Sequence, residues 1–87
     1  MRYTVSSDAA SAVVDDGAVI LHMRTKRYYS LNETGVAIWS MLEGGRSIDD
    51  IVASLVATYE IDREPAAAAV AEMLSELASV ELVQVER

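Results

Sequence analysis

Residues 12–31 read AVVDDGAVILHMRTKRYYSL, and this run decides the fold. Ala12-Val13-Val14 is short and apolar, and Asp15-Asp16-Gly17 follows it. An Asp-Gly pair tolerates the positive φ of tight hairpins, so it marks a turn between strands. Ala18 to Met23 is then a second strand, rich in β-formers (Val19, Ile20, Leu21). Arg24-Thr25-Lys26 is the next turn, and Arg27 to Leu31 is a third strand. Side chains alternate along a strand, so Tyr29 and Leu31 point one way and Tyr28 and Ser30 the other. The reading is a three-stranded antiparallel meander, with Tyr3 to Val5 as a further short pairing. A sheet this small cannot bury both faces and must lie against something apolar.

Downstream, the apolar period changes to that of helices. Asn32 is a good N-cap, and Glu33 in the first turn suits the helix dipole. Gly35, Ile38, Trp39 and Leu42 form one stripe, and Gly44-Gly45 ends the helix. Ser47 caps a second helix with Asp50 three residues on, and its stripe is Ile48, Ile51, Val52, Leu55 and Tyr59. Asp62 caps a third, with Pro65 in the first turn, where its missing N–H costs little. That helix runs through Ala66 to about Ser79, with a stripe of Val70, Met73, Leu74 and Leu77. Leu82 to Val85 leaves as an extended tail. The expectation is an α+β fold: a three-stranded antiparallel β-meander followed by three α-helices, winged helix-turn-helix-like, in one domain over residues 1–87.

Composition bounds the function. Eighty-seven residues leave no room for a second core, and 52% hydrophobic with 24% charged residues describes a chain that folds. There is no Cys, which excludes a disulfide scaffold, a Cys-based zinc site and thiol catalysis. One His cannot build an imidazole cluster. No apolar run reaches the roughly 18 residues of a membrane span, and the N-terminus lacks a signal-peptide pattern. A cytoplasmic protein is expected, with no membrane contact. The formal charge is -7, a poor balance for contacting nucleic-acid phosphates. It is also uneven. Residues 1–31 carry four basic and three acidic side chains, whereas residues 32–87 carry three basic and eleven acidic. The acidic part is either solvated helix faces or a surface that receives a basic segment of a partner.

No pattern of catalytic groups appears. Asp15-Asp16 and Asp49-Asp50 are explained by turn and cap chemistry, not by a convergent acid–base pair. His22 alternates with core positions, so it points outward or is held in a local hydrogen bond. Gly44-Gly45 lacks the spacing of a phosphate loop, and Trp39 lies on a core stripe. The chain reads as a non-enzyme without cofactor or metal.

The stretch from Gly17 to about Val83 resembles the PqqD-like family, leader-peptide recognition domains of ribosomal peptide-modification pathways. Arg24 to Gly35 carries the likeness (RTKRYYSLNETG), with Ile38-Trp39, Leu42-Glu43-Gly44, Ser47 to Ile51, Leu55, and a last helix ending at Leu77 before Leu82-Val83. The separate acidic chain with its Arg-Thr-x-Arg-Tyr-Tyr turn is most similar to the stand-alone recognition proteins of lasso-peptide pathways. Two positions depart from the family pattern. Lys26 and Val80-Glu81 stand where Gly is usual, so the turn and the helix end are expected to differ.

The resemblance implies that a precursor leader adds as an extra strand along Lys26, Arg27, Tyr28, Tyr29, Ser30 and Leu31. The helix over residues 65–79 is then the other wall. An unpaired strand edge offers backbone groups to any extended peptide, so specificity needs pockets. Ala66 and Ala69 leave such pockets, Val70, Met73 and Leu77 line them, and Glu72 and Glu76 meet leader lysines or arginines at the rim. Each rim pair contributes ~1 kcal/mol or less. Implied partners are the leader, a transglutaminase-like leader peptidase and a cyclase, with the chain a monomer or an edge-paired dimer. Alternatives are a peptide chaperone for a radical enzyme of quinone-cofactor synthesis, a winged-helix DNA-binding regulator, which the charge opposes, and a toxin–antitoxin or adaptor module.

Overall fold

A computed structural model describes residues 2–86 of the chain. In chain order it has β1 (Arg2–Val5), β2 (Ala9–Val14), β3 (Gly17–His22), β4 (Arg27–Leu31), α1 (Glu33–Glu43), α2 (Ile48–Tyr59), α3 (Arg63–Ser79) and β5 (Val83–Glu86). Strands β2, β3 and β4 form the antiparallel meander, with β3 central. The fold is α+β and winged-helix-like. Among the described residues no helix is long and apolar enough to cross a membrane.

One face of β3 supplies the sheet's share of the core through Ala18, Ile20 and His22. Against it pack Ile38, Trp39 and Leu42 of α1, Ile51, Val52 and Leu55 of α2, and Ala66, Val70, Leu74 and Leu77 of α3, with Leu82 and Val83 closing one side. These are the i, i+3, i+4 stripes of three amphipathic helices meeting one pleated face. The caps read from the sequence form at two helices: the Asn32 side chain accepts from the Gly35 N–H at 2.8 Å, and Ser47 accepts from Asp50 N–H at 3.1 Å. Gly45 takes φ 78°, while Arg46 N–H donates to the Met41 carbonyl and Gly45 N–H to that of Leu42. Those crossed bonds close α1 in a Schellman motif.

Several expectations are corrected. The first strand of the meander begins at Ala9, three residues before the apolar run, because Ala9 to Ser11 pair with Ile20 to His22 despite their weak β-propensity. The Tyr3–Val5 pairing and the tail at 82–85 are partners of one another, forming a two-stranded antiparallel sheet of β1 and β5. Asp15, Asp16 and Gly17 all keep negative φ. Gly17 is instead required by space: a Cβ there would collide with the Leu31 carbonyl oxygen, where β4 turns into α1. Asp62 holds the N-cap position of α3, but its side chain makes no capping hydrogen bond. His22 is buried, so its outward alternative falls. Its Nδ1 accepts from the Arg24 and Thr25 N–H groups at 3.3 and 3.4 Å, which holds the β3–β4 turn.

The two departures from glycine behave differently from expectation. Lys26 (φ 63°) and Glu81 (φ 62°) both adopt the left-handed conformation that glycine takes freely. Helix α3 therefore still ends sharply, with Leu82 N–H donating to Leu77 and Glu81 N–H to Ala78.

Candidate functional site

Among the described residues β4 pairs on one side only, with β3. Antiparallel ladders alternate between residues that exchange hydrogen bonds with the neighbour and residues that face away from it. Met23 N–H donates to the Asp8 carbonyl, so odd-numbered residues of β3 face β2 and even-numbered ones face β4. Ala18, Ile20 and His22 therefore engage Leu31, Tyr29 and Arg27. This leaves the N–H and C=O groups of Tyr28 and Ser30 directed at the vacant edge.

Beside the end of that edge lies a cavity of about 310 Å³. One wall is Ser30, Leu31, Asn32 and Thr34, where β4 passes into α1. Gly35 and Ile38 line it from α1, and Ala69, Glu72, Met73 and Glu76 line it from α3. Gly35 keeps this side open, since a Cβ there would stand 3.2 Å from Leu31 Cβ and 3.3 Å from Asn32 Oδ1. On α3 the positions 69, 72, 73 and 76 are spaced as one helical face. The facing surface is apolar at Ala69 and Met73 and acidic at Glu72 and Glu76. Among the described residues neither glutamate enters an ion pair, whereas Arg24, Arg46 and Arg63 each pair with an acidic partner.

Ser30, Leu31, Ala69, Glu72, Met73 and Glu76, singled out in the sequence, share this cavity. Ala66, Val70 and Leu77 do not: all three are buried in the core. They back the wall and offer a ligand no surface, because they belong to the neighbouring stripe of α3. On the strand, Tyr29 is half-buried against the core, Tyr28 is 71% exposed on the opposite face, and Arg27 is exposed. Lys26 lies in the turn. Asn32, Thr34, Gly35 and Ile38 are cavity residues that the sequence reading places in the cap, the family motif or the core stripe but not in the site. The signal was present in their adjacency to Leu31, since a helix starting immediately after an edge strand must flank that edge.

At the far end of the strand, the Arg24 guanidinium reaches Glu81 at 2.6 Å and lies 3.9 Å from Asp8. The hydrogen bond that Arg24 donates to the Glu81 carboxylate raises the Arg24 pKa above its ordinary value. This contact ties the β3–β4 turn to the end of α3. Among the described residues no group of three or more His, Asp or Glu is placed to hold a metal ion. The site thus presents backbone donors and acceptors, an apolar recess and two free carboxylates. That is equipment for holding an extended chain.

Comparison with known proteins gives three likenesses. A family model described as coenzyme PQQ synthesis protein D (PqqD) matches residues 17–83. A solved structure described as "TbiB1 in Complex with the TbiA(beta) Leader Peptide" superposes with a TM-score of 0.91 at 34% identity, covering 97% of this chain and 98% of that one. Another, "Lasso peptide synthetase B1 complexed with the leader peptide", gives a TM-score of 0.89 at 26% identity, covering 98% and 100%. No curated protein matches.

Proposed function

The chain belongs to the PqqD family, and from that premise we propose that it binds the leader of a ribosomally made precursor peptide and presents it to a leader peptidase and a cyclase in lasso-peptide maturation. The leader adds as a strand to the β4 edge, through Tyr28 and Ser30, with the 69/72/73/76 face of α3 as the second wall. One observation carries this reading: the vacant edge opens beside a recess of about 310 Å³. The fold is shared at a TM-score of 0.91 with a chain solved in complex with a leader peptide.

The chemistry is that of a scaffold. A free leader is disordered, and binding orders it once. Backbone hydrogen bonds supply sequence-independent affinity, and the recess selects the side chain that enters it. Tethering then raises the local concentration of the scissile segment at a docked enzyme toward roughly the mM range. The outer face of the meander supports this docking step. The face of the meander turned from the core carries Ala10, Ala12 and Val14 of β2, Val19 and Leu21 of β3, and Tyr28 of β4. Ser30 is the polar residue among them. A sheet with one solvated face ordinarily places polar residues there, so an apolar outer face favours a protein covering it. The family description, which names quinone-cofactor synthesis, favours a second reading with the same binding step and a radical enzyme as the docked partner.

The test is titration of the ¹⁵N-labelled protein with the synthetic leader. Amide shifts are expected at Tyr28, Ser30, Thr34, Ala69 and Met73, with 1:1 stoichiometry by calorimetry. A leader that produces no heat, together with salt-sensitive binding of duplex DNA, overturns the proposal. Leader cleavage accelerated by this protein separates the peptidase reading from the radical-enzyme one.

A further inference from the structure

The meander has a second vacant edge, on β2. By the parity established above, Ala10, Ala12 and Val14 engage β3, while Ala9, Ser11 and Val13 face away from it. The Ala9 N–H is taken by the Ser6 carbonyl at 3.1 Å. The open groups are therefore the C=O of Ala9 and the N–H and C=O of Ser11 and Val13. Natural edges are usually blunted by lysine, proline, inward charges or a covering element. Ala9 to Val14 has no charge and no proline, and Val13 is 80% exposed. Charges stand only at the two ends, Asp8 before the strand and Asp15-Asp16 after it.

Three kinds of chain fit an open edge, and the residues distinguish them. The first is a second copy. Because the outward groups belong to Ser11 and Val13, two β2 strands pair about a two-fold axis on Ala12, with Ser11 opposite Val13; this sets Asp8 opposite Asp16 at both ends, which is unfavourable for cross-strand pairs. An axis on Ser11 avoids that clash but sets Val13 opposite Ala9, whose N–H is already taken by the Ser6 carbonyl, and so loses a hydrogen bond at each end. The second is a free, disordered peptide. At β4 the α3 wall adds apolar contact to the backbone bonds, whereas beside β2 the α1 residues Glu33 and Val36 reach only the Val13–Gly17 end. So few backbone hydrogen bonds do not offset the entropy of ordering a flexible chain. The third is a strand already held extended in a folded protein, which escapes most of that ordering cost.

We infer that the β2 edge docks the exposed edge strand of a folded partner protein, a strand uncharged over its middle and bearing a Lys or Arg at each end. The basic ends meet Asp8 and Asp15-Asp16, and the middle pairs with Ser11 and Val13. β2 and β4 lie on opposite sides of β3, about 10 Å apart at ordinary strand spacing. A partner on β2 and a peptide on β4 are therefore accommodated together, and the inference does not depend on what occupies β4.

The probe is a disulfide-closed hairpin peptide whose outer strand reads Lys-Thr-Val-Thr-Val-Thr-Val-Thr-Lys, long enough to set its lysines opposite Asp8 and Asp16, titrated into the ¹⁵N-labelled protein. Amide shifts are expected at Ser11 and Val13, at least tenfold weaker binding with a Glu-ended hairpin, and none with the linear peptide at equal concentration. Ser11→Pro removes an outward N–H and no ladder bond, so it should abolish these shifts and leave leader affinity unchanged. The pair Asp15→Lys and Asp16→Lys, which leaves the strand intact, should reverse the preference between the two hairpins. Shifts confined to Tyr28 and Ser30, no shifts at all, or no reversal in the charge variant would each overturn the inference. So would a wild-type dimer that Ser11→Pro converts to monomer, which would assign the edge to a second copy. If the leader fails to bind while the hairpin does, only the function proposed for β4 is lost.

Discussion

Ser30→Pro is the substitution that most directly tests which edge holds the peptide. Proline removes one backbone N–H, and its effect depends entirely on where that N–H points. At Ser30 it points away from β3, so the β3–β4 ladder keeps its bonds. The preceding residue, Tyr29, already has the extended backbone that a following proline demands. Folding stability should therefore fall by no more than about 1 kcal/mol, the scale of a modest φ adjustment. Binding is affected much more. The missing donor leaves a leader carbonyl desolvated and unpaired, which costs about 1–3 kcal/mol, or roughly 5- to 150-fold in Kd. The ring also occupies space the added strand needs. The assay is calorimetric titration of the variant with the leader, after circular dichroism shows a wild-type spectrum. Ser30→Ala is the control and should bind like wild type. Tyr29→Pro is the converse, because its N–H faces β3; it should lose a ladder bond and unfold the domain at lower temperature. A folded Ser30→Pro protein with wild-type affinity would refute the edge assignment and the parity argument together.

Other consequences follow from the same geometry. Ala69→Trp places an indole in the recess from an exposed position, so leader affinity should fall at least about tenfold. Its melting temperature should stay within about 2 °C of wild type, since nothing buried is disturbed. Reversing both rim charges, Glu72→Lys with Glu76→Lys, should weaken a basic leader by about tenfold at low salt. The loss should shrink markedly near 0.5 M salt; equal losses at both salt levels would mean the carboxylates act by packing instead. Lys26→Gly should raise stability by up to about 1 kcal/mol, about 4–8 °C in Tm for a chain of this size, because Lys26 sits at φ 63°. A lower Tm would show that the turn depends on the lysine side chain.

The elements were legible wherever a local cause sets them. Asn32, Ser47 and Gly45 act within one turn of their own positions, and the alternation over Ala18 to Leu31 is read directly as a strand pair. What escaped is non-local or degenerate. The β1–β5 pairing joins Tyr3 to Val85 across almost the whole chain, and nothing in either short segment names its partner. Helix α3 shows the degeneracy. Residues 66, 70, 74 and 77 form one stripe and 69, 72, 73 and 76 form another, displaced by one residue. The first carries Ala, Val, Leu and Leu and the second Ala, Glu, Met and Glu, so Ala69 and Met73 adjoin the core stripe and periodicity alone does not say whether they join it. The structure decides it: Ala66, Val70, Leu74 and Leu77 are within 5% of full burial, leaving the second stripe for the recess. The strand wall was easier to read because an edge is defined by backbone, and backbone direction follows from register.

The left-handed glutamate at the end of α3 bears on how the recess is held open. Glycine at 81 would end the helix without strain, so Glu81 lowers stability through its backbone. An exposed ion pair with Arg24 contributes little in return. Stability is therefore a poor account of the pair, and its geometry is a better one. The two walls of the site lie far apart in the chain, β4 beginning at Arg27 and α3 ending at Ser79. Near Leu31 they are set by the packing of Ile38 and Gly35. At the other end the Arg24–Glu81 contact, 2.6 Å long, spans from the β3–β4 turn to the α3 terminus. Arg24 is also backed by Asp8, and its turn is held from below by the buried His22. With both ends bridged inside the folded chain, binding is expected to order the peptide more than the walls; Arg24→Ala should then weaken leader binding while leaving a wild-type circular dichroism spectrum, and wild-type affinity in that variant would refute a positioning role for the pair.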